Sequence, residues 1–298
     1  MSEHLVNTLD DNTRFSDTHR FYYQDYNSNI YKEMSDKFQN MFGKGSGGEL
    51  VDTPAKAKAI DSSSMLAYNF FCWIDENNTF TYDGIEYDKV FFEVKLRTLS
   101  CRSTPANLDI VLVSKDNKTA WFIESKFTEF YKTGKEELSD SYTNEENHYT
   151  KGLSELANLY RENFNAKKHY SAGIKQNVCH LISLINFIKS EETRKAFEKN
   201  YKKSCYECFQ KVEKVKFSNL LFEPNIDEAN ELYKDYQKYL DEFKTSIKEI
   251  DILKQYIENI VPNDFVITYR EIFDSMKKQM KEKPHIDYLK NRYMSLHK

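Results

Sequence analysis

The apolar positions change period several times along the chain, and each change marks an element. Over residues 62–74 (SSSMLAYNFFCWI), Met65, Leu66, Asn69, Phe70 and Trp73 recur at helical spacing behind an Asp61/Ser62 cap signal, which predicts a buried helix. The period then shortens. Residues 90–96, 108–113 and 120–123 are short runs rich in Val, Ile, Phe and Trp, separated by turn formers at 103–105 and 116–117. They predict three sequential strands in antiparallel meander order. Residues 171–188 return to helical spacing through Ile174, Val178, Leu181, Ile182, Ile185 and Ile188, and residues 215–222 return to strand chemistry before Glu223-Pro224. The predicted order is αβββαβ, an α/β fold with a mixed central sheet flanked by helices.

The flanks are simpler. A helical stretch over residues 30–42 stops at a glycine-rich loop, GKGSGG, which lacks the residue order and the preceding strand of a phosphate-cradling loop. Residues 128–150 are polar without periodicity and predict a surface excursion. From residue 227 a stripe of Leu232, Tyr233, Tyr236, Tyr239, Leu240, Phe243, Ile247, Ile250, Leu253, Ile257 and Ile260 predicts a long helical region ending near Pro262. Its tyrosines and mixed steps of three and four favour packing onto the core over a coiled-coil dimer. A short strand at 265–267 and one more amphipathic helix follow. The expected organisation is an N-terminal helical, polar segment (1–48), a core (49–225) and an α-helical C-terminal extension packed on that core (226–298).

Composition narrows the function classes. The 298 residues carry 43 Lys and Arg against 47 Asp and Glu, a net charge of −4, with 40% hydrophobic residues, 8 Gly and 5 Pro. These proportions exclude fibrous and disordered classes. The slightly acidic whole argues against blanket adhesion to nucleic acid or membrane. Locally, residues 194–216 hold eight Lys and Arg against three Glu, with Phe197, Tyr201, Tyr206 and Phe209 interleaved. That patch reads either as phosphate contacts or as a solvated helix face. No charge-free window approaches the roughly 20 apolar residues of a membrane helix, and the first twelve residues lack the apolar run of a signal peptide. Five cysteines form an odd, sparse set suited to a reducing compartment, and Cys205 and Cys208 have no second pair to complete a zinc site. A cytoplasmic protein without membrane contact is expected.

The chemistry concentrates in residues 105–127, PANLDIVLVSKDNKTAWFIESKF. Asp109 opens one strand, and Glu124 and Lys126 end the next, on the same face because side chains alternate along a strand. Two carboxylates hold a hard divalent cation through oxygen ligands, and such an ion neutralises a scissile phosphate and acidifies an attacking water. Without further context, an acid and a Glu-x-Lys on a hairpin would be an ordinary surface ion pair. Here Trp121, Phe122, Ile123 and Phe127 surround the pair, as in a central strand emerging into a cleft.

Asp109, followed by Glu124-Ser125-Lys126 on a hairpin inside an αβββαβ order, resembles the PD-(D/E)XK nuclease superfamily, the fold of type II restriction endonucleases. The residue before the aspartate is Leu108 rather than the proline of that signature; Pro105 lies four residues upstream. More narrowly, GSGGEL (45–50), SSSMLAYNFF (62–71), NLDIVL (107–112), FIESKF (122–127) and KQNVCHL (175–181) resemble a bacterial branch of restriction-endonuclease-like proteins. The resemblance implies a restriction-endonuclease-like core and a metal-dependent phosphodiesterase acting on DNA. Asp109, Glu124 and the main-chain carbonyl of Ser125 would be ligands of Mg²⁺, for which Mn²⁺ could substitute, and Lys126 the catalytic lysine. Gln176 fits the helical residue that many members carry after the third strand, and a homodimer would suit double-strand cutting. The third acid expected upstream is either Glu93, on the first strand, or Glu49, in the glycine-rich loop. His180, one turn beyond Gln176, reads as a core histidine. The same fold without catalysis would be a nucleic-acid-binding or scaffolding module.

Overall fold

A computed structural model describes residues 13–15, 21–23, 25–44, 49–51, 55–101, 104–131, 137–164, 171–200, 203–224 and 227–294. The glycines at 45, 47 and 48 lie outside the described residues. Strands β1 (Thr13–Phe15) and β2 (Phe21–Tyr23) form a small antiparallel pair ahead of helices α1 (Asp36–Gly43) and α2 (Ser63–Phe71). Ser62 caps α2 by accepting from the Met65 amide, the role its position predicts.

Four strands follow: β3 (Phe80–Tyr82), β4 (Ile85–Leu96), β5 (Ala106–Ser114) and β6 (Thr119–Lys126). The two-residue turn Asp83-Gly84 joins β3 to β4 with φ of 50° and 72°, the left-handed pair that hairpins of this length favour. Between β5 and β6, Asn117 also takes positive φ, and Asp116 ties the turn by accepting from Ser114 Oγ at 2.6 Å and the Lys118 amide at 2.9 Å. The chain then passes through α3 (Ser154–Asn163), α4 (Ser171–Lys189), α5 (Glu191–Asn200) and α6 (Lys203–Gln210) to β7 (Lys214–Leu221). This crossover is what a parallel pairing requires, and β7 runs parallel to β6. After α7 (Asp227–Ile247) and α8 (Asp251–Ile260), β8 (Val266–Thr268) pairs parallel to β7, and α9 (Tyr269–Gln279) and α10 (Lys283–Arg292) complete the chain. The result is a six-stranded mixed sheet in the order β3-β4-β5-β6-β7-β8.

Every residue of β6 is buried, so its apolar run lacks alternation, as in a strand covered on both faces. On one face Phe122 meets Phe187 of α4, and Phe91 meets Phe209 of α6. On the other, Phe92 packs against Phe38, Phe42 and Tyr68 of α1 and α2. α4 approaches α7 closely at Gly173, where an added Cβ would stand 2.2 Å from the Tyr236 hydroxyl; glycine is needed for that contact.

Several elements differ from the sequence expectation. β4 starts five residues earlier than its apolar run, because Glu86 pairs with Thr81 of β3 and Tyr87 and Lys89 pair with Ser114 and Val113 of β5 around a bulge at Asp88. The helix expected over 30–42 is confined to α1, preceded by a 3-10 turn over Tyr26–Asn29. The long C-terminal helical region divides at 248–250. There three successive amides, of Lys248, Glu249 and Ile250, bond three residues back and tighten the turn before Asp251 opens α8. The polar stretch 128–150 is anchored by buried Phe130, Leu138 and Tyr142 rather than lying wholly on the surface.

The sheet curls. Tyr82 of β3 stacks on Trp121, three strands away, with ring centroids 4.8 Å apart, and Asp83 pairs with Lys216 of β7 at 2.7 Å. Along β3, the Gln279 side chain of α9 accepts from the Thr81 amide at 2.6 Å and donates to the Thr81 carbonyl at 2.8 Å. Among the described residues, no helix is long and apolar enough to cross a membrane.

Candidate active site

The site begins where the β5–β6 ladder stops. β5 and β6 pair from Val113↔Ala120 to Ile110↔Ile123, and the next cross-strand partners would be Asp109 and Glu124. β4 and β5 pair on either side of Glu93, at Phe92↔Ile110 and Val94↔Leu108, so the same row brings Glu93 opposite Asp109. Three carboxylates therefore line up across three adjacent strands. The Asp109 carboxylate takes over a ladder bond, its Oδ2 accepting from the Ser125 amide at 2.7 Å. Glu93 sits at φ 55°, a conformation that costs a non-glycine residue about 1–2 kcal/mol. Its side chain accepts from Ser64 Oγ of α2 at 3.4 Å and from the Asn107 side-chain Nδ2.

Lys126 and Glu124 project from β6 toward α4. Lys126 Nζ donates to Glu124 Oε1 at 2.7 Å and to Gln176 Oε1 at 2.6 Å, while the other Glu124 oxygen lies 3.0 Å from His180 Nε2. Gln176 and His180 are four residues apart and so share one face of α4. By sequence, Gln176 is expected to support the site and His180 to belong to the core. His180 is buried, but its partner is the Glu124 carboxylate, and the four-residue spacing from Gln176 was the available signal. Glu93, Glu124, Lys126 and His180 are buried, whereas Asp109 keeps part of its surface and Gln176 is exposed. The site thus opens to solvent along the Asp109–Gln176 side.

Burial and mutual repulsion separate the acids. Burial raises the Asp109 carboxyl well above the usual range, and the charges of Glu124 and Glu93 raise it further. Burial, then the neighbouring Glu49, push Glu93 up to about 7. Burial alone would raise Glu124 too, but Lys126 and His180 outweigh it and hold this carboxyl below its ordinary range. Burial pulls the Lys126 ammonium down, yet Glu124 and then Glu129 keep it above its normal value. Glu49, the other candidate for the third acid, is itself buried and acts on Glu93 through its charge.

The donor set is made of hard carboxylate oxygens, and crowded buried carboxylates are the groups whose ionisation a divalent cation favours. Among the described residues, no three His, Cys, Asp or Glu side chains are gathered closely enough to hold an ion by themselves. A cation such as Mg²⁺ keeps several waters and takes one or two carboxylates plus substrate phosphate oxygens, so a pair of carboxylates is the donor set it would need from the protein. The residues present suit the ion on these grounds.

Glu93 supplies a pH test. Its carboxyl has an ordinary value of 4.5 and is pushed up to about 7 in the folded protein, so folding retains a proton that the unfolded chain releases across this window. The contribution of Glu93 to stability therefore falls as pH rises from 4.5 to 7. Glu93→Gln is expected to match the parent at pH 4.5 and to exceed it at pH 8 by up to about 3 kcal/mol in metal-free urea denaturation. An equal stability difference at both pH values would refute this electrostatic account.

The basic stretch is partly committed elsewhere. Arg194 donates to the Phe187 carbonyl at 2.8 Å, Lys195 pairs with Glu191 and Lys216 with Asp83, while Phe197 and Phe209 are core residues. The thiols of Cys72, Cys101, Cys179 and Cys208 are unbridged; the Cys205 side chain lies outside the described residues.

No curated protein and no solved structure matches the chain. One family model does, over residues 3–294, and its description is "Restriction Endonuclease associating with ARP". A match that spans nearly the whole sequence, the carboxylate row included, makes the protein a member of that restriction-endonuclease-associated family.

Proposed function

We propose that the protein is a divalent-metal-dependent endonuclease that hydrolyses phosphodiester bonds in DNA. The observation that carries this reading is the convergence of Asp109, Glu124 and Lys126 where β5 and β6 part, with Lys126 gripped by Gln176. Support comes also from the family description, which names restriction endonucleases, and from the run of elements α2, β4, β5, β6, α4 and β7. With the interposed β3, α3, α5 and α6 set aside, that succession supports reading the chain in the PD-(D/E)XK order of a helix, three antiparallel strands, a helix and a further strand.

In this reading Asp109, Glu124 and the Ser125 carbonyl hold Mg²⁺, or Mn²⁺ in its place, and Glu93 is the third acid, backed by Glu49. The bound ion supplies charge neutralisation at the scissile phosphate and a more acidic water. Lys126 orients that water and offsets negative charge developing on the phosphorus oxygens. Gln176 fixes the Lys126 ammonium on the solvent-facing side and Glu124 on the inner side, with His180 against the other Glu124 oxygen. Asp109, the acid with exposed surface, is the one substrate meets first. Cutting both strands would call for two such sites, hence a homodimer.

Incubation of supercoiled plasmid and of labelled single-stranded DNA and RNA with Mg²⁺, Mn²⁺ or EDTA tests the reading. Metal-dependent cleavage of DNA that EDTA stops is expected. DNA that is bound with and without EDTA but never cut would instead mark a binding module built on the same fold.

A further inference from the structure

We infer that Tyr269 is a positioning residue of the candidate site: from the first turn of α9 its hydroxyl fixes the Ser125 side chain and, through it, the peptide of β6 whose carbonyl faces the carboxylate row. The inference rests on reading the Ser125 carbonyl as a metal ligand.

Ser125 lies between Glu124 and Lys126, so its side chain leaves the opposite face of the sheet from theirs. Three elements hold it. Its Oγ donates to the Ser63 carbonyl at the start of α2 at 3.3 Å and lies 2.6 Å from the Tyr269 hydroxyl. A carbonyl can only accept, so the Ser125 proton points to Ser63 and the Tyr269 O–H donates to Ser125. The Ser125 amide donates to Asp109 Oδ2 of β5 at 2.7 Å. In a strand the N–H and C=O of one residue leave the same edge. The next carbonyl, that of Lys126, leaves the other edge and accepts from the Phe222 amide just past β7 at 2.8 Å. The Ser125 carbonyl therefore faces the β5 side, where Asp109 stands.

Tyr269 reaches this point with little freedom. The preceding Thr268 shares a row with Leu221 of β7 and Lys126 of β6. A capping box then sets the start of α9: Thr268 Oγ1 accepts from the Glu271 amide at 3.1 Å, and Glu271 accepts from the Thr268 amide at 2.7 Å. The Tyr269 ring is fully buried and packs edge-on against Phe70 of α2, with centroids 4.6 Å apart. Phenylalanine would keep that contact, so packing accounts for the ring and not for the hydroxyl. Two hydroxyls shut among apolar side chains oppose folding unless they satisfy each other. Here they do so at the residue between Glu124 and Lys126. The C-terminal extension thus acts on the site from behind the sheet, by stiffening the Ser125 peptide.

The test uses amide hydrogen exchange by NMR in EDTA and Mn²⁺ binding by calorimetry on the same samples. In Tyr269→Phe the amide at position 125 should exchange about 10-fold faster than in the parent, while the Ile123 amide, two residues back in the same strand, keeps its rate. Mn²⁺ should bind about 10-fold more weakly. Ser125→Ala removes the other end of the link and covers the case of a Tyr269 variant that fails to fold. It should show the same two changes, and the double variant no more than either single. Equal acceleration at 123 and 125 would make the hydroxyl a general stabiliser of the fold and overturns the inference. So does an unchanged rate at 125, or an unchanged Mn²⁺ affinity, in both single variants. A parent that binds no Mn²⁺ overturns the metal reading of Ser125 instead, and the exchange rates still decide whether Tyr269 positions it.

Discussion

Asp109→Asn is expected to lose metal-dependent DNA cleavage by about a thousandfold or more and, in the same protein, to raise the metal-free denaturation midpoint. Both effects have one origin. Asp109 lies between two other acids in one row, and burial together with Glu124 and Glu93 opposes its ionisation. At neutral pH its charge therefore works against the fold, and removing that charge relieves the repulsion. Asparagine can retain the bond from the Ser125 amide through its own oxygen, so the local backbone is preserved. What disappears is the anionic oxygen pair offered to a cation, a loss of the size seen when one preorganised electrostatic group leaves an active site. Opposed changes in activity and stability are the signature of a site that holds repelling groups for use. Plasmid cleavage and thermal unfolding in EDTA measure the two arms. A variant that loses both activity and stability would assign Asp109 a structural role and sink this account.

Lys126→Met should be the most destabilising single change at the site, by about 3–5 kcal/mol. The ammonium is buried, as is Glu124, and removing one member of a buried pair strands the other charge. His180 remains near Glu124, but Gln176 and Glu124 Oε1 both lose their donor. The double variant Glu124→Leu, Lys126→Met should regain most of the lost stability, since an apolar pair of similar volume removes both desolvation costs. Urea denaturation of the two singles and the double closes the cycle. A loss below about 1 kcal/mol in Lys126→Met would mean the pair is effectively solvated.

The core order was legible because its signals are local. A change from helical to alternating or continuous apolar spacing is written in neighbouring residues, and it announced α2, β5, β6, α4 and β7. The first half of β4 was not, since Glu86 and Lys89 owe their strand state to pairing with β3 and β5, on either side of a bulge at Asp88, and to the turn at Asp83-Gly84. Nor was α3, whose Ser154-Glu-Leu-Ala-Asn-Leu offers a thin apolar stripe that only its packing on α4 and α7 sustains. At the site, Asp109 and Glu-x-Lys carry their own spacing, so their convergence could be anticipated. The left-handed backbone of Glu93 and the His180 contact depend on which strands and helices meet, and no short window of sequence contains them.

The side chain of Gln279 has a consequence for the sheet margin. With both amide groups bonded to the Thr81 backbone, it imitates one residue of a neighbouring strand at the outermost strand, β3. An open margin of that kind is a template on which a second chain can add, the first step toward intermolecular β-pairing. The amide occupies the template from within, through a helix that follows β8 on the opposite margin. The C-terminal helices therefore guard colloidal behaviour as well as the fold, and a chain shortened before α9 would leave the Thr81 backbone open to strand addition.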